Sequence, residues 1–334
     1  MKTTIIGDGG WGTALALVLH RNGHHVTVWG PFPEYIDQVQ KRHENITFLK
    51  GVALPSTLTW TSNCEQAVTG AEVVVLATPS KFMRQVLTSF RNFIEGRPML
   101  VSVAKGFDRK TLFRMTQIAE EVLGQRPIAA LSGPSHAEEV ARGVPSAVTI
   151  ACTDHNQAVS LQSVFNNESF RVYTSDDVVG VEIGGAMKNV IAVAAGVSDG
   201  IGYGDNTKAA LITRGLAEMT RMGVALDARP STFAGLSGIG DLIVTCTSKL
   251  SRNRNVGERL GRGETLQQIM DSMEQVTKGV WTCSTARELA ASLDVDAPIT
   301  YEVHAVVHEG KDPKLAVQDL LARDPKPEYE PRQR

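Results

Sequence analysis

Three glycines near the amino terminus, Gly7, Gly9 and Gly12, constrain the fold of this chain more than any other feature. They follow a β-branched, apolar run at residues 3–6 and precede an apolar stretch at 12–22, which Gly23 ends. In G-x-G-x-x-G spacing the first glycine allows a tight turn, the second admits a pyrophosphate, and the third lets helix and strand pack closely. The spacing predicts a dinucleotide site at a helix N-terminus. A glycine-rich turn without a ligand is the alternative.

The rest of the chain shows two sequence patterns, one in each half. Short apolar runs at residues 25–29, 72–77, 99–103, 128–131, 147–151 and 170–173 alternate with helical segments. Unbroken apolar runs suit strands that are covered on both faces, so this half predicts an α/β, Rossmann-type, doubly wound parallel sheet. After about residue 175 the periodicity is helical, as in 206–222, 285–293, 299–308 and 313–321.

Length and charge limit the remaining possibilities. A chain of 334 residues exceeds the roughly 250–300 that one core usually supports, so we expect two domains, 1–175 and an all-α domain at 176–323. The charged, proline-containing segment 324–334 predicts a disordered tail. With 34 basic and 36 acidic residues there is no basic field for nucleic acid. No apolar run reaches about 18 residues, so no membrane span is expected, and glycines interrupt the first 19 residues, which argues against a signal peptide.

Cysteine and histidine usage gives no indication of a metal. The eight histidines form no ligand-spaced cluster, and the cysteines form no Cys-x-x-Cys pair and lie far apart, at Cys64, Cys152, Cys246 and Cys283. We therefore expect no metal and a reducing, cytoplasmic location.

Two candidate functional groups follow predicted strands. Lys105 comes after the run at 99–103, and Gly133, Pro134 and Ser135 come after the run at 128–131. Ligands of open α/β sheets bind at the carboxyl ends of strands, so Lys105 and Ser135 are expected beside a ligand. The alternative for the second group is an ordinary strand-to-helix turn.

Lys188 lies in an unusual predicted helix. Segment 180–190 contains three glycines, each of which costs a helix roughly 1 kcal/mol relative to alanine, so we expect close approach of a backbone or a ligand. A lysine in such an apolar, small-residue helix is a candidate for a buried, reactive amine.

Further polar groups occur in the second half. Asp241 follows two glycines, and Thr245 would share its face on a helix, although a helix cap is the commoner use of such an acid. Ser251, Arg252 and Asn253 together offer a hydroxyl, a guanidinium and an amide. This grouping suits a phosphate, and an exposed polar turn would look the same.

One part of the dinucleotide pattern is missing. The second predicted strand ends at Trp29, Gly30 and Pro31, without the acid that usually holds the adenosine ribose 2′-hydroxyl. No arginine follows at once to bind a 2′-phosphate, and Lys41 and Arg42 suit a solvated surface. The choice between NAD and NADP therefore stays open.

Several motifs, taken in order, carry a family resemblance. They are IIGDGGWGTA at 5–14, SGPS at 132–135, GGAMKNV at 184–190, SDGIGYG at 198–204, ALITRG at 210–215, GDL at 240–242 and SRN at 251–253. Spanning nearly the whole chain, they resemble those of the bacterial NAD(P)-dependent glycerol-3-phosphate dehydrogenases. The resemblance implies a Rossmann-type domain followed by a helical domain like that of 6-phosphogluconate dehydrogenase, with the active site in the cleft.

The resemblance also implies a reaction and a set of sites. The reaction is hydride transfer between C2 of sn-glycerol 3-phosphate and a nicotinamide, giving dihydroxyacetone phosphate, with reduction serving phospholipid synthesis in a homodimer. Lys188 is implied as the general acid/base, with Lys105 and Asp241 beside it. The implied substrate-binding residues are Lys105, Gly133, Ser135, Lys188, Asp241, Thr245, Ser251, Arg252 and Asn253. The implied cofactor-binding residues are Gly7, Gly9, Gly10, Trp11, Gly12, Pro31, Lys105, Ala137, Arg252, Val276 and Lys278.

Three positions depart from the family pattern. Lys278 stands where the family commonly has glutamate, Gly10 where serine or alanine is usual, and Pro31 where a basic or imidazole residue is common. These departures concern the cofactor rather than proton transfer. A hydroxy-acid dehydrogenase of the same superfamily and a catalytically silent dinucleotide sensor are the alternative functions.

Overall fold

The computed structural model describes residues 1–273 and 278–328, with the Lys278 side chain excepted. Eight strands form one sheet in the order β3-β2-β1-β4-β5-β6-β7-β8. Their bounds are β1 Lys2–Ile6, β2 His25–Trp29, β3 Thr59–Thr61, β4 Val73–Leu76, β5 Met99–Ser102, β6 Ile128–Ser132, β7 Ser146–Ala151 and β8 Phe170–Ser175. Each run predicted as a strand is one, and the three-residue β3, too short to give a periodic signal, was not predicted.

The first six strands are parallel, as predicted, whereas β7 pairs antiparallel with β6 and β8 then pairs parallel with β7. The connection from β6 to β7 explains the reversal, because its only helix, Ala137–Ala141, has five residues. Such a helix spans about 7.5 Å, less than half the roughly 16 Å of a five-residue strand. It cannot return the chain to the opposite edge, and β7 therefore runs back beside β6.

Seven helices cover this sheet: α1 Gly10–Arg21, α2 Pro33–Arg42, α3 Cys64–Val68, α4 Met83–Phe90, α5 Met115–Leu123, α6 Ala137–Ala141 and α7 His155–Phe165. Successive strand residues enter opposite cores. Ile5 packs with residues of α1, α2, α6 and α7, and Ile6 packs with residues of α3, α4 and α5. Both faces are therefore buried, which confirms the doubly wound architecture.

The second half consists of helices: α8 Val178–Ile201, α9 Asp205–Val224, α10 Pro230–Phe233, α11 Asp241–Thr247, α12 Arg252–Gly261, α13 Leu266–Asp271, α14 Lys278–Ser292, α15 Pro298–His308 and α16 Pro313–Leu321. By length and composition α8 could cross a membrane, with mean hydropathy 1.5 over 18 residues, but 89% of that window is buried inside the protein. It is the central helix of this half, and its apolar side chains meet those of its neighbours.

Glycines allow α12 to lie against α8 at very short range. A Cβ on Gly196 would collide with the Arg254 carbonyl oxygen, and a Cβ on Gly257 would collide with the Val193 carbonyl oxygen. The two backbones therefore meet without side chains between them. This contact fixes the start of α12, where Arg252 and Asn253 lie, relative to the lysine of α8.

The last strand ends at Ser175 and α8 begins at Val178. The two-domain division at residue 175 stays a prediction. In the predicted tail, residues 324–328 have no regular secondary structure, and the Lys326 Nζ pairs with the Asp296 Oδ2 at 2.6 Å. Residues 329–334 lie outside the described part of the chain.

Candidate active site

The glycine loop between β1 and α1 has the geometry that a pyrophosphate site requires. Gly7 has φ +130°, which favours glycine, and a Cβ on Gly12 would collide with the Gly7 carbonyl oxygen. A Cβ on Gly9 would meet nothing within 4 Å in the described part of the chain. The backbone at Gly9 is thus open to a ligand, while Gly7 and Gly12 shape the turn and its packing. These residues fit the diphosphate of a dinucleotide.

The first turn of α1 explains one departure from the family pattern. A Cβ on Gly10 would lie 2.5 Å from the Phe48 carbonyl oxygen and 3.7 Å from the Ala137 Cβ. Serine or alanine does not fit there unless the Phe48 backbone moves. Ala137 therefore lies beside the glycine loop. Of the other residues implied at the cofactor site, Trp11 is half-buried on α1, and Pro31 is exposed just beyond β2.

Two lysines share one buried carboxylate. Asp241 accepts hydrogen bonds from the Lys188 Nζ on Oδ1 and from the Lys105 Nζ on Oδ2, the second at 2.7 Å. Lys188 also donates to the Thr245 Oγ1 at 2.7 Å. Asp241 is fully buried, and Lys188 is 7% exposed. We call Lys105, Lys188 and Asp241 the lysine–aspartate cluster.

Small residues bring the three chain segments of this cluster together. A Cβ on Gly184 would collide with the Ser237 carbonyl oxygen, and a Cβ on Gly185 would lie 2.7 Å from the Ser132 Oγ. The close approach predicted for this part of α8 is therefore confirmed. A π-helical turn at Leu236–Gly240 leads directly into α11, and the side chain of Asp241, its first residue, faces the lysines instead of capping the helix.

The charges in the cluster do not balance. Burial alone would raise the pKa of Asp241, but the ammonium groups of Lys105 and Lys188 outweigh it and hold that pKa below its ordinary value. Asp241 is therefore ionised at neutral pH. Two ammonium groups and one carboxylate leave one net positive charge in a buried place. Such a place favours an anion or an oxygen that gains negative charge.

The loop after β6 reaches the same cluster. Gly133 has φ +145°, and its carbonyl oxygen accepts from the Lys105 Nζ at 3.1 Å and from the Ser135 Oγ at 2.8 Å. The Lys105 Nζ also lies 3.4 Å from the Ser135 Oγ. The two predicted strand ends therefore meet, with the hydroxyl of Ser135 beside the ammonium of Lys105.

The three residues at the start of α12 face different partners. Ser251 is buried and its Oγ accepts from the Arg254 backbone N–H at 3.3 Å, as a helix N-cap. Asn253 bridges α8 and α14, donating to the Asn189 Oδ1 at 2.7 Å and accepting from the Gly279 N–H at 2.9 Å. Arg252 is exposed. Of the three, Arg252 is therefore the residue directed toward solvent.

Comparison with known proteins decides the family. The model of the NAD-dependent glycerol-3-phosphate dehydrogenase N-terminus matches residues 2–158, and that of the C-terminus matches residues 177–318. The chain belongs to the NAD-dependent glycerol-3-phosphate dehydrogenase family. It is 46% identical to the glycerol-3-phosphate dehydrogenase, NAD(P)+, of Fusobacterium nucleatum subsp. nucleatum over 332 residues, 99% of each chain.

Two further relatives agree. The glycerol-3-phosphate dehydrogenase, NAD(P)+, of Clostridium acetobutylicum is 45% identical over 326 residues, covering 98% of each chain. The crystal structure of glycerol-3-phosphate dehydrogenase from Coxiella burnetii superposes with a TM-score of 0.93 at 36% identity, covering 96% of this chain and 99% of that one. This protein is therefore an NAD(P)-dependent oxidoreductase of the glycerol-3-phosphate dehydrogenase family, which decides against the hydroxy-acid alternative.

Two implied cofactor residues of this family are not located by the structure. Val276 lies outside the described residues, and so does the side chain of Lys278, the first residue of α14. Their roles stay predictions. Among residues 1–273 and 278–328, no group of three or more histidines, cysteines, aspartates or glutamates is placed to hold a metal ion.

Two polar groups near the family's site escaped the sequence reasoning. The Nε2 of His136 is buried without a hydrogen-bond partner in the described ranges, and burial, reinforced by the Lys188 ammonium, lowers its pKa. Asp8 is 9% exposed, and its Oδ2 is likewise buried without a partner in those ranges. A single histidine such as His136 forms no spacing pattern that predicts a site. An acid inside a phosphate-binding loop, such as Asp8, is unusual enough to be noticed in the sequence.

A cavity of about 500 Å³ lies elsewhere, between α8, α9, α15, α16 and residues 323–328, and none of its lining residues belongs to the cluster. Glu218 at its wall accepts from the Ile299 and Thr300 backbone N–H groups at 2.6 and 3.1 Å, at the start of α15. Burial raises the pKa of Glu218 to about 7. The hydrogen bonds of the Glu218 carboxylate hold the start of α15 in place, which is a structural role. We therefore assign the cavity no part in the reaction.

Proposed function

We propose that this protein interconverts dihydroxyacetone phosphate and sn-glycerol 3-phosphate with NAD or NADP as cofactor. The observation that carries the proposal is the lysine–aspartate cluster at the carboxyl end of the parallel strands, in a chain of this family. When bound, the nicotinamide supplies or accepts the hydride at C2 of the substrate.

Lys188 provides the proton. In reduction its ammonium donates a proton to the C2 oxygen, so that the ketone becomes an alcohol, and in oxidation the neutral amine takes that proton back. Asp241 and Thr245 orient the Lys188 Nζ through hydrogen bonds, the second at 2.7 Å. Lys105 acts through charge, because its ammonium near the same carboxylate stabilises negative charge on the C2 oxygen.

Two sets of groups can donate hydrogen bonds to the phosphate of the substrate. Arg252 is exposed at the start of α12, and a helix N-terminus adds a favourable dipole for an anion. Lys105 and Ser135 form the second set, on the segments that follow β5 and β6. Gly133 shapes that segment, while Ser251 and Asn253 act by holding the start of α12 in place.

We extend the proposal to the wider setting that the family resemblance supports. The protein works as a homodimer in the cytoplasm, and reduction supplies glycerol 3-phosphate for phospholipid head groups. The charge balance of the chain, with a formal net charge of −2, suits a free small-molecule substrate rather than a nucleic acid.

Oxidation of NADH and of NADPH, followed in parallel at 340 nm with dihydroxyacetone phosphate, tests the proposal. We expect substrate-dependent oxidation of at least one nucleotide.

Arg252→Ala should raise the KM for dihydroxyacetone phosphate about tenfold or more with little change in kcat, because a charge-assisted contact to the phosphate is lost. An unchanged KM would remove Arg252 from the phosphate site, and no oxidation of either nucleotide would favour the silent sensor.

A further inference from the structure

Asp8 brings a carboxylate from the glycine loop to the end of β2. A Cβ placed on Gly30 would lie 2.5 Å from the Asp8 Oδ2, so the two residues are directly adjacent. Gly30 follows β2, at the position where dinucleotide-binding folds usually carry the acid that hydrogen-bonds the adenosine ribose. Asp8 therefore places its carboxylate beside the strand end where Gly30 provides no side chain.

In the described part of the chain, the Oδ2 of Asp8 lacks the hydrogen-bond partner that a buried carboxylate oxygen normally has. Within residues 1–273 and 278–328, the buried Oδ2 accepts no hydrogen bond, and no ion pair joins Asp8 to a basic residue. Leaving such an oxygen unsatisfied costs free energy, which a ligand donor would recover. Burial, only partly offset by a hydrogen bond from the backbone N–H of Asp8 itself, raises the pKa of Asp8 to about 6, so the carboxylate is mostly ionised above neutral pH.

We propose that Asp8 accepts hydrogen bonds from the adenosine ribose hydroxyls and thereby makes this enzyme favour NAD over NADP. The inference rests on the proposed function, because it requires a nicotinamide dinucleotide in the glycine loop. A 2′-phosphate would remove one hydroxyl donor and bring its negative charges next to the carboxylate. Like charges this close repel, and Asp8 has no ion-paired cation in the described ranges to offset them.

Equilibrium binding tests this inference without turnover. Titration calorimetry of the full chain with NADH and with NADPH, at pH 7.5 and without dihydroxyacetone phosphate, should give at least about tenfold tighter binding of NADH, the scale of one charge-assisted hydrogen bond. Asp8→Asn should weaken NADH binding and bring the two dissociation constants within about threefold of each other. The control Asp37→Asn removes the same charge from an exposed position on α2 and should keep the native ratio.

A rescue variant keeps the test decisive if Asp8→Asn folds poorly. In Asp8→Ala combined with Gly30→Asp, the acid returns to the strand end, into space that the shortened residue 8 vacates once the Ile36 Cδ1, 2.6 Å from the new Cβ, turns aside. The preference for NADH should then return. Equal affinities in the native protein, or an unchanged ratio in Asp8→Asn, would overturn the inference while leaving reduction of dihydroxyacetone phosphate intact. Failure to bind either nucleotide would overturn the proposed function as well.

Discussion

At the scale of single residues, Asp241 holds the two lysines of the lysine–aspartate cluster together. Both of its oxygens accept from lysines, and its pKa is held low although the side chain is fully buried. Removing one partner of a buried ion pair leaves the other charge uncompensated. Here the loss would leave two ammonium groups facing each other, so Asp241 contributes to stability as well as to the orientation of Lys188.

Asp241→Asn should lower the free energy of unfolding at pH 7 by about 3–5 kcal/mol, the usual cost of breaking a buried pair. Because the folded-state pKa of Asp241 is depressed, its contribution is present above the unfolded pKa near 3.9 and is lost as pH falls through the folded pKa. The difference between variant and native protein should therefore shrink below about pH 4. Urea unfolding across pH 3–8 measures it.

Asp319→Asn is the matched control. Asp319 also pairs with a lysine, Lys311 at 2.5 Å, but is 57% exposed, so its loss should cost no more than about 1 kcal/mol. Equal effects of the two substitutions would contradict the importance assigned to the buried pair.

At the scale of elements, the contact between α8 and α12 positions the residues that we propose for the substrate phosphate. Gly257 and Gly261 on α12 face carbonyl oxygens of Val193 and Val197 on α8. Any side chain at these positions forces the helices apart. The displacement would move Arg252 and Asn253, which begin α12, away from Lys188.

Gly257→Ala should therefore destabilise the protein by about 2 kcal/mol or more, although alanine is intrinsically better in a helix by roughly 1 kcal/mol. Thermal unfolding measures the change. Gly204→Ala, at the N-cap of α9, is the control: in the described structure a Cβ there meets nothing within 4 Å, so its cost should not exceed the roughly 1 kcal/mol of alanine at a helix N-cap. A Gly257→Ala protein as stable as the native one would show that the two helices can separate at no cost.

Sequence patterns predicted most elements because their signals are local. Buried strands such as Val73–Leu76 are continuous apolar runs, and the glycine-rich segment 180–190 marks part of α8. The direction of β7 depends instead on how far a five-residue helix reaches, and β3 is too short for any period. The lysine–aspartate cluster joins residues 136 positions apart, so its residues could be nominated but their pairing could not.

The same reasoning explains the missed polar groups. His136 gains meaning only from Lys188 and Asp241 beside it in space. Asp8 stands out in the sequence as an acid in the glycine loop, but its contact with Gly30 appears only in the structure. No spacing along the chain encodes those neighbours. The end of β2 carries no acid in the sequence, and Asp8 places one beside it from the end of β1.

At the scale of the whole molecule, the charges of the lysine–aspartate cluster come from both halves of the chain. Lys105 follows β5 of the sheet, while Lys188 and Asp241 belong to the helices. The formal net charge is only −2, and exposed charges are screened beyond about 8 Å at physiological salt. Under the proposed function, attraction of an anionic substrate is therefore local to the lysine–aspartate cluster and the start of α12, and it requires residues from both halves of the chain.

The kcat of Lys188→Ala tests the central claim most directly. At saturating NADH or NADPH and dihydroxyacetone phosphate, we expect kcat to fall at least about a hundredfold, the scale of a lost general acid, with nucleotide dissociation constants within about twofold of native. Lys314→Ala, which removes an exposed lysine from α16, should keep native turnover. Turnover of Lys188→Ala within a few-fold of the native enzyme would contradict the assignment of Lys188 as the proton donor.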